Sequence, residues 1–232
     1  MRNLALIPVR TGSKRLKNKN ILDFFGKPMF IHTVEAAVNS KLFDEIHVST
    51  ESEDVVRICE KYNIEVRFLR SKNLASDSAT LTSLCDYVIK TYKDEFKMCY
   101  ENFCLLWATA PLRTSEDIIK SYNLLTEESS AVVSVTSYDL PVHCSQFENS
   151  DGYLEPNFPD MFWLSEKNIK KNYCDNGALC WVKTDVFESE KTWLPKKTKP
   201  YFMKKNRSVD IDTEEDFNLA KYYYSHNIDH KQ

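Results

Sequence analysis

The residues best suited to chemistry lie near the start of the chain, in Ala5-Leu-Ile-Pro-Val-Arg-Thr-Gly-Ser-Lys-Arg-Leu-Lys-Asn-Lys-Asn-Ile21, where an apolar run gives way to small residues and then to cations. From Arg10 to Asn20 there are five Lys or Arg and no acid, so this stretch needs a counter-anion. Gly12 and Ser13 allow close backbone approach and offer free N–H groups. The Ser13 hydroxyl adds a donor, and Arg10, Lys14, Arg15 and Lys19 add charge, which together make the donor set of a polyphosphate site. Neither a Walker spacing nor Gly-x-Gly-x-x-Gly occurs. A basic run without context is most often a solvated loop. This one directly follows a first strand, where open α/β sheets bind ligands.

A second stretch is Ser208-Val-Asp-Ile-Asp-Thr-Glu-Glu-Asp216. On an extended segment Asp210 and Asp212 point to one face while Val209 and Ile211 point to the other, into the core. Two carboxylates side by side at a strand end repel each other, and a bound Mg2+ or Mn2+ relieves the repulsion. The competing expectation is that the pair caps the helix beginning at Thr213. A third polar stretch, Arg70 to Thr82, runs into a helix whose apolar face is Leu84, Val88 and Ile89, with Ser76, Asp77 or Ser78 as its cap.

The elements that must position these residues follow from periodicity. Leu4 to Val9 is a short buried strand and Thr11-Gly12-Ser13 the turn after it. Met29, Ile31, Val34, Ala37 and Val38 recur at helical spacing. Strands are then expected at Glu45–Thr50, Glu65–Leu69, Phe103–Ala108 and Ala131–Tyr138, with helices at Glu53–Tyr62, from Ser115 to about Leu125, and from Thr213 with Phe217, Leu219, Ala220 and Tyr223 on its apolar side. This alternation implies a mainly parallel sheet. Asp175-Asn-Gly177 carries a strong local hairpin-turn signal. Lys191–Arg207, with seven cations and no acid, reads as a solvated loop and edge strand.

A chain of 232 residues, 42% hydrophobic and 28% charged, fits one large domain. Its net charge of −3 argues against a general nucleic-acid binder. Seven cysteines, at 59, 85, 99, 104, 144, 174 and 180, form no Cys-x-x-Cys pair and read as reduced thiols. The N-terminus enters a strand within four residues, no apolar run suits a membrane span, and the cytoplasm is the default location. His226 and His230 stand four apart in a polar tail and read as unordered rather than as metal ligands.

Ile7 to Ile21, Arg70-x-x-x-Leu-Ala-Ser-Asp77 and Ser208 to Asp216 together resemble the signatures of the acylneuraminate cytidylyltransferases, the CMP-sialic acid or CMP-nonulosonate synthetase family. The chain departs from that pattern at Val9, usually Ala, at Lys17, often Pro, and at Trp107-Ala108, where most relatives place Gln and Pro. The resemblance implies an α/β, Rossmann-like three-layer nucleotidyltransferase fold with a mainly parallel sheet, formed by 1–138 and 174–226. Segment 139–173 would be a dimerisation and sugar-binding arm, with Phe158, Met161, Phe162 and Trp163 as its apolar contacts, and 227–232 a tail.

The reaction it implies joins CTP to a free nonulosonic acid, giving a CMP-sugar and pyrophosphate, in a homodimer with no nucleic-acid or membrane partner. An octulosonate such as Kdo or an amino derivative is the alternative acceptor, kept open by Trp107, whose indole donates one hydrogen bond and accepts none. A nucleotide-binding module without turnover is the more remote alternative. Pseudaminic, legionaminic and neuraminic acids are all left open.

By position in the family's motifs, Arg10 and Lys19 neutralise the leaving group, Gly12, Ser13 and Lys14 cradle the triphosphate, and Asn20 contacts the nucleotide. Arg70, Asp77 and Ala79 lie against base and ribose. Trp107, Thr109, Arg113 and Asn176 face the sugar, with Tyr173–Val182 as a strand entrance that turns at Gly177. Asp210 and Asp212 hold Mg2+ or Mn2+, Asp212 being counted with Arg10 and Lys19 as catalytic.

Overall fold

Strand β1 (Asn3–Pro8) carries Leu4-Ala-Leu-Ile7, and none of these four side chains reaches solvent, so the sheet is covered on both faces. The computed structural model describes residues 2–13, 15–76 and 78–226. After β1 come a short ribbon, β2 (Asp23–Phe24) and β3 (Lys27–Pro28), then α1 (Met29–Ser40), β4 (Glu45–Ser49), α2 (Glu53–Lys61), α3 (Leu81–Asp94), β5 (Asn102–Leu106) and α4 (Ser115–Tyr122). They are followed by β6 (Ala131–Ser137), a second ribbon of β7 (Gln146–Glu148) and β8 (Leu154–Pro156), then β9 (Tyr173–Lys183), α5 (Thr184–Glu190), β10 (Thr198–Phe202) and α6 (Glu214–His226).

The main sheet runs β10-β6-β9-β5-β1-β4. Three neighbouring pairs are parallel, and β9 lies antiparallel between β5 and β6. The two-residue period of a strand sorts the core into two layers. Leu4, Leu6, Phe103 and Leu105 pack with Leu84, Cys85 and Val88 of α3 and Phe187 of α5. Ala5, Ile7, Cys104 and Leu106 pack on the other face with Phe30, Ile31 and Val34 of α1, Val55 and Cys59 of α2, and Ile118 of α4. The fold is thus the three-layer, mainly parallel α/β arrangement expected.

The chain leaves β1 for β4 on one side and takes up β5 on the other, so the strand order reverses at β1. A crevice forms at such a reversal, outside the C-terminal strand ends. A third cluster closes one flank of it: Phe24, Met29, Leu112, Val209, Ile211 and Ala220, with Leu16 and Phe217 packed against them. This cluster anchors the basic loop, through Leu16, to the Val209–Ile211 segment and to α6.

Several expectations are corrected. Glu65–Leu69 is no strand; side chains fasten it beside β4, Arg67 pairing with Glu45 at 2.9 Å and Phe68 stacking on His47 at 4.4 Å. Asp175-Asn-Gly177 makes no hairpin, because β9 runs straight through it. From Val133 to Val135 β6 advances two residues while its partner positions go from Cys180 to Asp175, five residues, and Gly177 at φ +58° takes up the excess as a bulge.

The cap of α3 is Thr80, whose hydroxyl accepts from Ser83 N–H at 3.1 Å, rather than any of 76–78. His226 is the last residue of α6 and not part of a tail, while His230 lies outside the described residues. Leu219 points to solvent. Among the described residues, no helix is long and apolar enough to cross a membrane.

Candidate active site

A cleft of about 360 Å3 opens at the C-terminal ends of β1 and β5. It gathers residues from all three polar stretches: Arg10, Lys19 and Asn20, then Arg70 and Ala79, then Asp210 and Asp212, with Trp107 and Thr109 completing the wall. Leu74, Ser76, Thr80 and Leu84 add lining, none of them expected there as site residues. A larger hollow of about 510 Å3 lies between 137–143 and 169–173 and contains none of those stretches, so we place the chemistry in the smaller cleft. Gly12, Ser13, Arg113 and Asn176 are not among the residues lining it. Lys14 and Asp77 lie outside the described residues.

The basic loop is shaped by its own polar groups. Asn20 is buried and donates from Nδ2 to the Arg10 carbonyl at 2.9 Å, closing the loop across ten residues. Its Oδ1 is buried without a protein partner, and the residue lines the cleft. Ser13 N–H donates to the Thr11 carbonyl at 3.0 Å, which fixes the turn but spends that donor, while Gly12 is exposed.

Asp210 and Asp212 do reach one site, but not on a ladder strand. Segment 208–212 is held by the Ile211 N–H to Thr109 carbonyl bond of 2.9 Å and by the apolar side chains of Val209 and Ile211. Nor is the pair unpartnered. Asp212 Oδ1 takes Lys19 Nζ at 2.5 Å and Oδ2 takes Arg15 at 2.6 Å, so the basic loop supplies the charge compensation that a metal alone was expected to supply. Lys19 also donates to the Ile211 carbonyl at 2.9 Å.

Asp210 sits deeper. Burial pushes its carboxyl above the usual range, Asp212 and Asp175 add to that push, and the hydrogen bond from Thr109 and the charge of Lys19 oppose it. Neither aspartate side chain caps α6. Thr213 Oγ1 accepts from Asp216 N–H at 3.2 Å while Asp216 Oδ2 accepts from Thr213 N–H at 2.8 Å, a reciprocal capping box.

Asp175 was missed by sequence reasoning. It lies in the β9 bulge, its carboxyl also raised by burial, against a bond of 2.9 Å from Gly177 N–H. The signal was present in Asp175-Asn-Gly177, whose strong turn character masked a strand bulge. A second miss is Glu51, two residues after β4, which pairs with Arg70 at 2.7 Å. Arg70 is only 5% exposed, so its guanidinium orientation is fixed from beneath.

The residues expected to face the sugar divide. Trp107 lines the cleft and also packs edge-on against Trp193, ring centroids 5.7 Å apart, so it is both wall and packing. Thr109 lines the cleft beside Asp210. Arg113 does not fit the expectation: it is 2% exposed and donates to the carbonyls of Trp107 at 3.4 Å and Ala178 at 2.5 Å. Burial lowers its guanidinium to about 10, and its work is to brace the β5 and β9 ends beneath the cleft. Asn176 is likewise buried, bonding Ser208 Oγ at 2.8 Å, and so fixes the segment that carries Asp210.

Residues 4–226 match the family model described as cytidylyltransferase. The chain is 32% identical over 237 residues to a pseudaminic acid cytidylyltransferase of Campylobacter jejuni subsp. jejuni, covering 98% of each. It is 31% identical to a CMP-N,N'-diacetyllegionaminic acid synthase of Legionella pneumophila, covering 95% of each. An N-acylneuraminate cytidylyltransferase of Escherichia coli is 34% identical over 220 residues, 94% of this chain and 51% of that one. A solved CMP:2-keto-3-deoxy-manno-octonic acid synthetase complexed with CTP has a TM-score of 0.70 over 97% of this chain and 99% of that one, at 14% identity, a likeness of fold.

Proposed function

The chain belongs to the cytidylyltransferase family, and from that premise we propose that its cleft joins CTP to a nonulosonic acid, giving a CMP-sugar and pyrophosphate. The protein is a CTP-dependent nucleotidyltransferase. The observation that carries the reading is the convergence of Arg10, Lys19, Arg70, Asp210 and Asp212 on one cleft at the strand-order reversal. The relatives named for pseudaminic, legionaminic and N-acylneuraminic acids favour a nonulosonic acid over an octulosonate, because the octulosonate synthetase shares the fold at low identity.

The anomeric hydroxyl oxygen of the sugar attacks the α-phosphorus and gives up its proton to solvent, the bond from that phosphorus to the bridging oxygen breaks, and pyrophosphate leaves with the negative charge. Positioning and electrostatics supply most of the acceleration in such a transfer. Arg10 and Lys19 meet the growing charge. Lys19 is already oriented by the Ile211 carbonyl, so little reorganisation accompanies the step. Asn20 lines the cleft and holds the loop that carries Arg10 through its bond to the Arg10 carbonyl. Thr109 and the Trp107 indole form the wall on which the sugar rests.

Asp210 and Asp212 fit Mg2+ or Mn2+. Among the described residues no three His, Cys, Asp or Glu form a metal cage. Two carboxylates at the cleft suit an ion that completes its shell with water and substrate phosphate oxygens. The bound ion would supply Lewis-acid stabilisation of phosphate oxygen charge.

The working unit is a homodimer, supported by the apolar surface of the 139–173 arm: Leu140, Tyr153, Leu154 and Trp163 are all exposed, Trp163 at 87%. The cytoplasm suits the seven free thiols. CTP labelled at the α-phosphorus tests the reaction: the label should pass to the sugar product, whereas label retained in free CMP, or left in CTP, would refute transfer.

A further inference from the structure

Glu51 has no assigned role, yet it stands where three parts of the cleft meet. It is the second residue after β4, whose last carbonyl, Ser49, takes the N–H of Val9 at 2.8 Å, while the next, Thr50, takes the N–H of Arg70 at 2.9 Å. The end of β1 and the start of the Arg70 segment are therefore both strung to the backbone just before Glu51.

The carboxylate repeats that connection at side-chain level. Oε1 accepts from Thr11 N–H and from Thr11 Oγ1, both at 3.0 Å. Oε2 accepts from Arg70 Nε at 3.0 Å and Nη2 at 2.7 Å. One oxygen thus holds the residue before Gly12-Ser13 and the other holds one edge of the guanidinium, leaving Nη1 as the nitrogen not spent on Glu51. Burial raises the carboxyl, but the Thr11 N–H and Arg70 outweigh it and hold Glu51 below the usual carboxylate range, so it stays an acceptor of all four bonds.

We propose that Glu51 is a positioning residue that sets the spacing between the basic loop and the Arg70 wall, so that a nucleoside triphosphate is gripped by both walls at once. This rests on the CTP reading given above. Glu51 need touch neither the nucleotide nor the reacting atoms. It fixes the two walls before the ligand arrives, which is where pre-organised sites gain affinity. A fragment that uses only the phosphate loop gains little from that spacing.

The test compares CTP with inorganic tripolyphosphate on the full chain by titration calorimetry, beside steady-state kinetics and thermal melting. Glu51→Gln keeps the shape but offers Arg70 or Thr11 an amide N–H where each needs an acceptor. CTP affinity should fall about 10- to 100-fold, the loss expected for a charge-assisted pair. The KM for CTP should rise by a similar factor with kcat nearly unchanged, and tripolyphosphate affinity should change by less than about threefold, because only the two-wall grip is lost. Thr11→Val removes one of the four bonds and leaves Glu51 in place, so it applies if Glu51→Gln fails to fold; CTP should then weaken about threefold to tenfold and tripolyphosphate much less.

Unchanged CTP affinity in a folded variant overturns the proposal, as does an equal loss for both ligands, which would mark general structural damage. Wild type that binds tripolyphosphate but discriminates no nucleotide overturns the CTP reading, and the proposal with it.

Discussion

Lys19→Ala separates catalysis from stability. In the wild type Nζ lies 2.5 Å from Asp212 Oδ1 and 2.9 Å from the Ile211 carbonyl, with the Lys side chain 14% exposed. The variant leaves Asp212 with Arg15 at 2.6 Å, so the carboxylate is not stranded. Asp212 remains partly solvated, and an ion pair of that kind contributes about 1 kcal/mol or less. For a chain of this length that corresponds to a fall of about 2 to 4 °C in Tm. Turnover should fall far more, about 100- to 1000-fold, the usual loss when a donor aimed at developing charge is removed. Pyrophosphate release measured beside thermal melting reads both. Near-wild-type release from folded Lys19→Ala would refute the assignment; a Tm loss large enough to account for the lost rate would refute the separation.

Gly177→Ala places a Cβ 2.7 Å from Asp210 Oδ2 at a backbone φ of +58°; it should lose more than about 1 kcal/mol of stability and raise the Mg2+ concentration needed for half-maximal rate. Asp212→Asn should fold normally and also demand far more Mg2+, and curves superimposable on wild type would mean that the aspartates do not hold the metal. Arg113→Met should cost about 1 to 3 kcal/mol by breaking its two buried hydrogen bonds to the Trp107 and Ala178 carbonyls while leaving the KM for the sugar unchanged, whereas a raised KM with unchanged melting would restore Arg113 to the sugar site. The intact protein should scatter light as a dimer at micromolar concentration. Ser137 and Tyr173 are cross-strand partners, so 139–171 can be exchanged for a short Gly-Ser linker, which should give a monomer without sugar turnover; a monomeric intact protein would end this idea.

The layers of the fold were legible because buried strands such as Leu4–Ile7 and Phe103–Leu106 announce themselves by unbroken apolarity, and helices such as α1 by their spacing. Glu65–Leu69 was misread for a physical reason. Its alternating Val66 and Phe68 do turn inward, but ion pairing and ring stacking hold it instead of ladder hydrogen bonds, which sequence cannot distinguish.

The cleft was legible in composition and less so in geometry. A cation cluster and two aspartates pointed to phosphate and metal, yet their direct pairing, Lys19 and Arg15 on Asp212, joins residues nearly two hundred positions apart. Arg113 shows the converse: its place in the family's motif implied a sugar contact, but the chain turns at 108–113 and folds the guanidinium back under the strand ends. Glu51 was invisible because an acid after a strand carries no signal until its two partners, Thr11 and Arg70, are known.

CTP-dependent transfer to a nonulosonic acid is tested most directly by which nucleotide and which sugar release pyrophosphate together. The measurement is a matrix of the four nucleoside triphosphates against pseudaminic, legionaminic and N-acetylneuraminic acids and Kdo, with Mg2+ present. Release is expected with CTP and at least one nonulosonic acid, and none with CTP alone. Release with ATP, GTP or UTP in preference to CTP, release with Kdo only, or no release from any pair would refute that assignment.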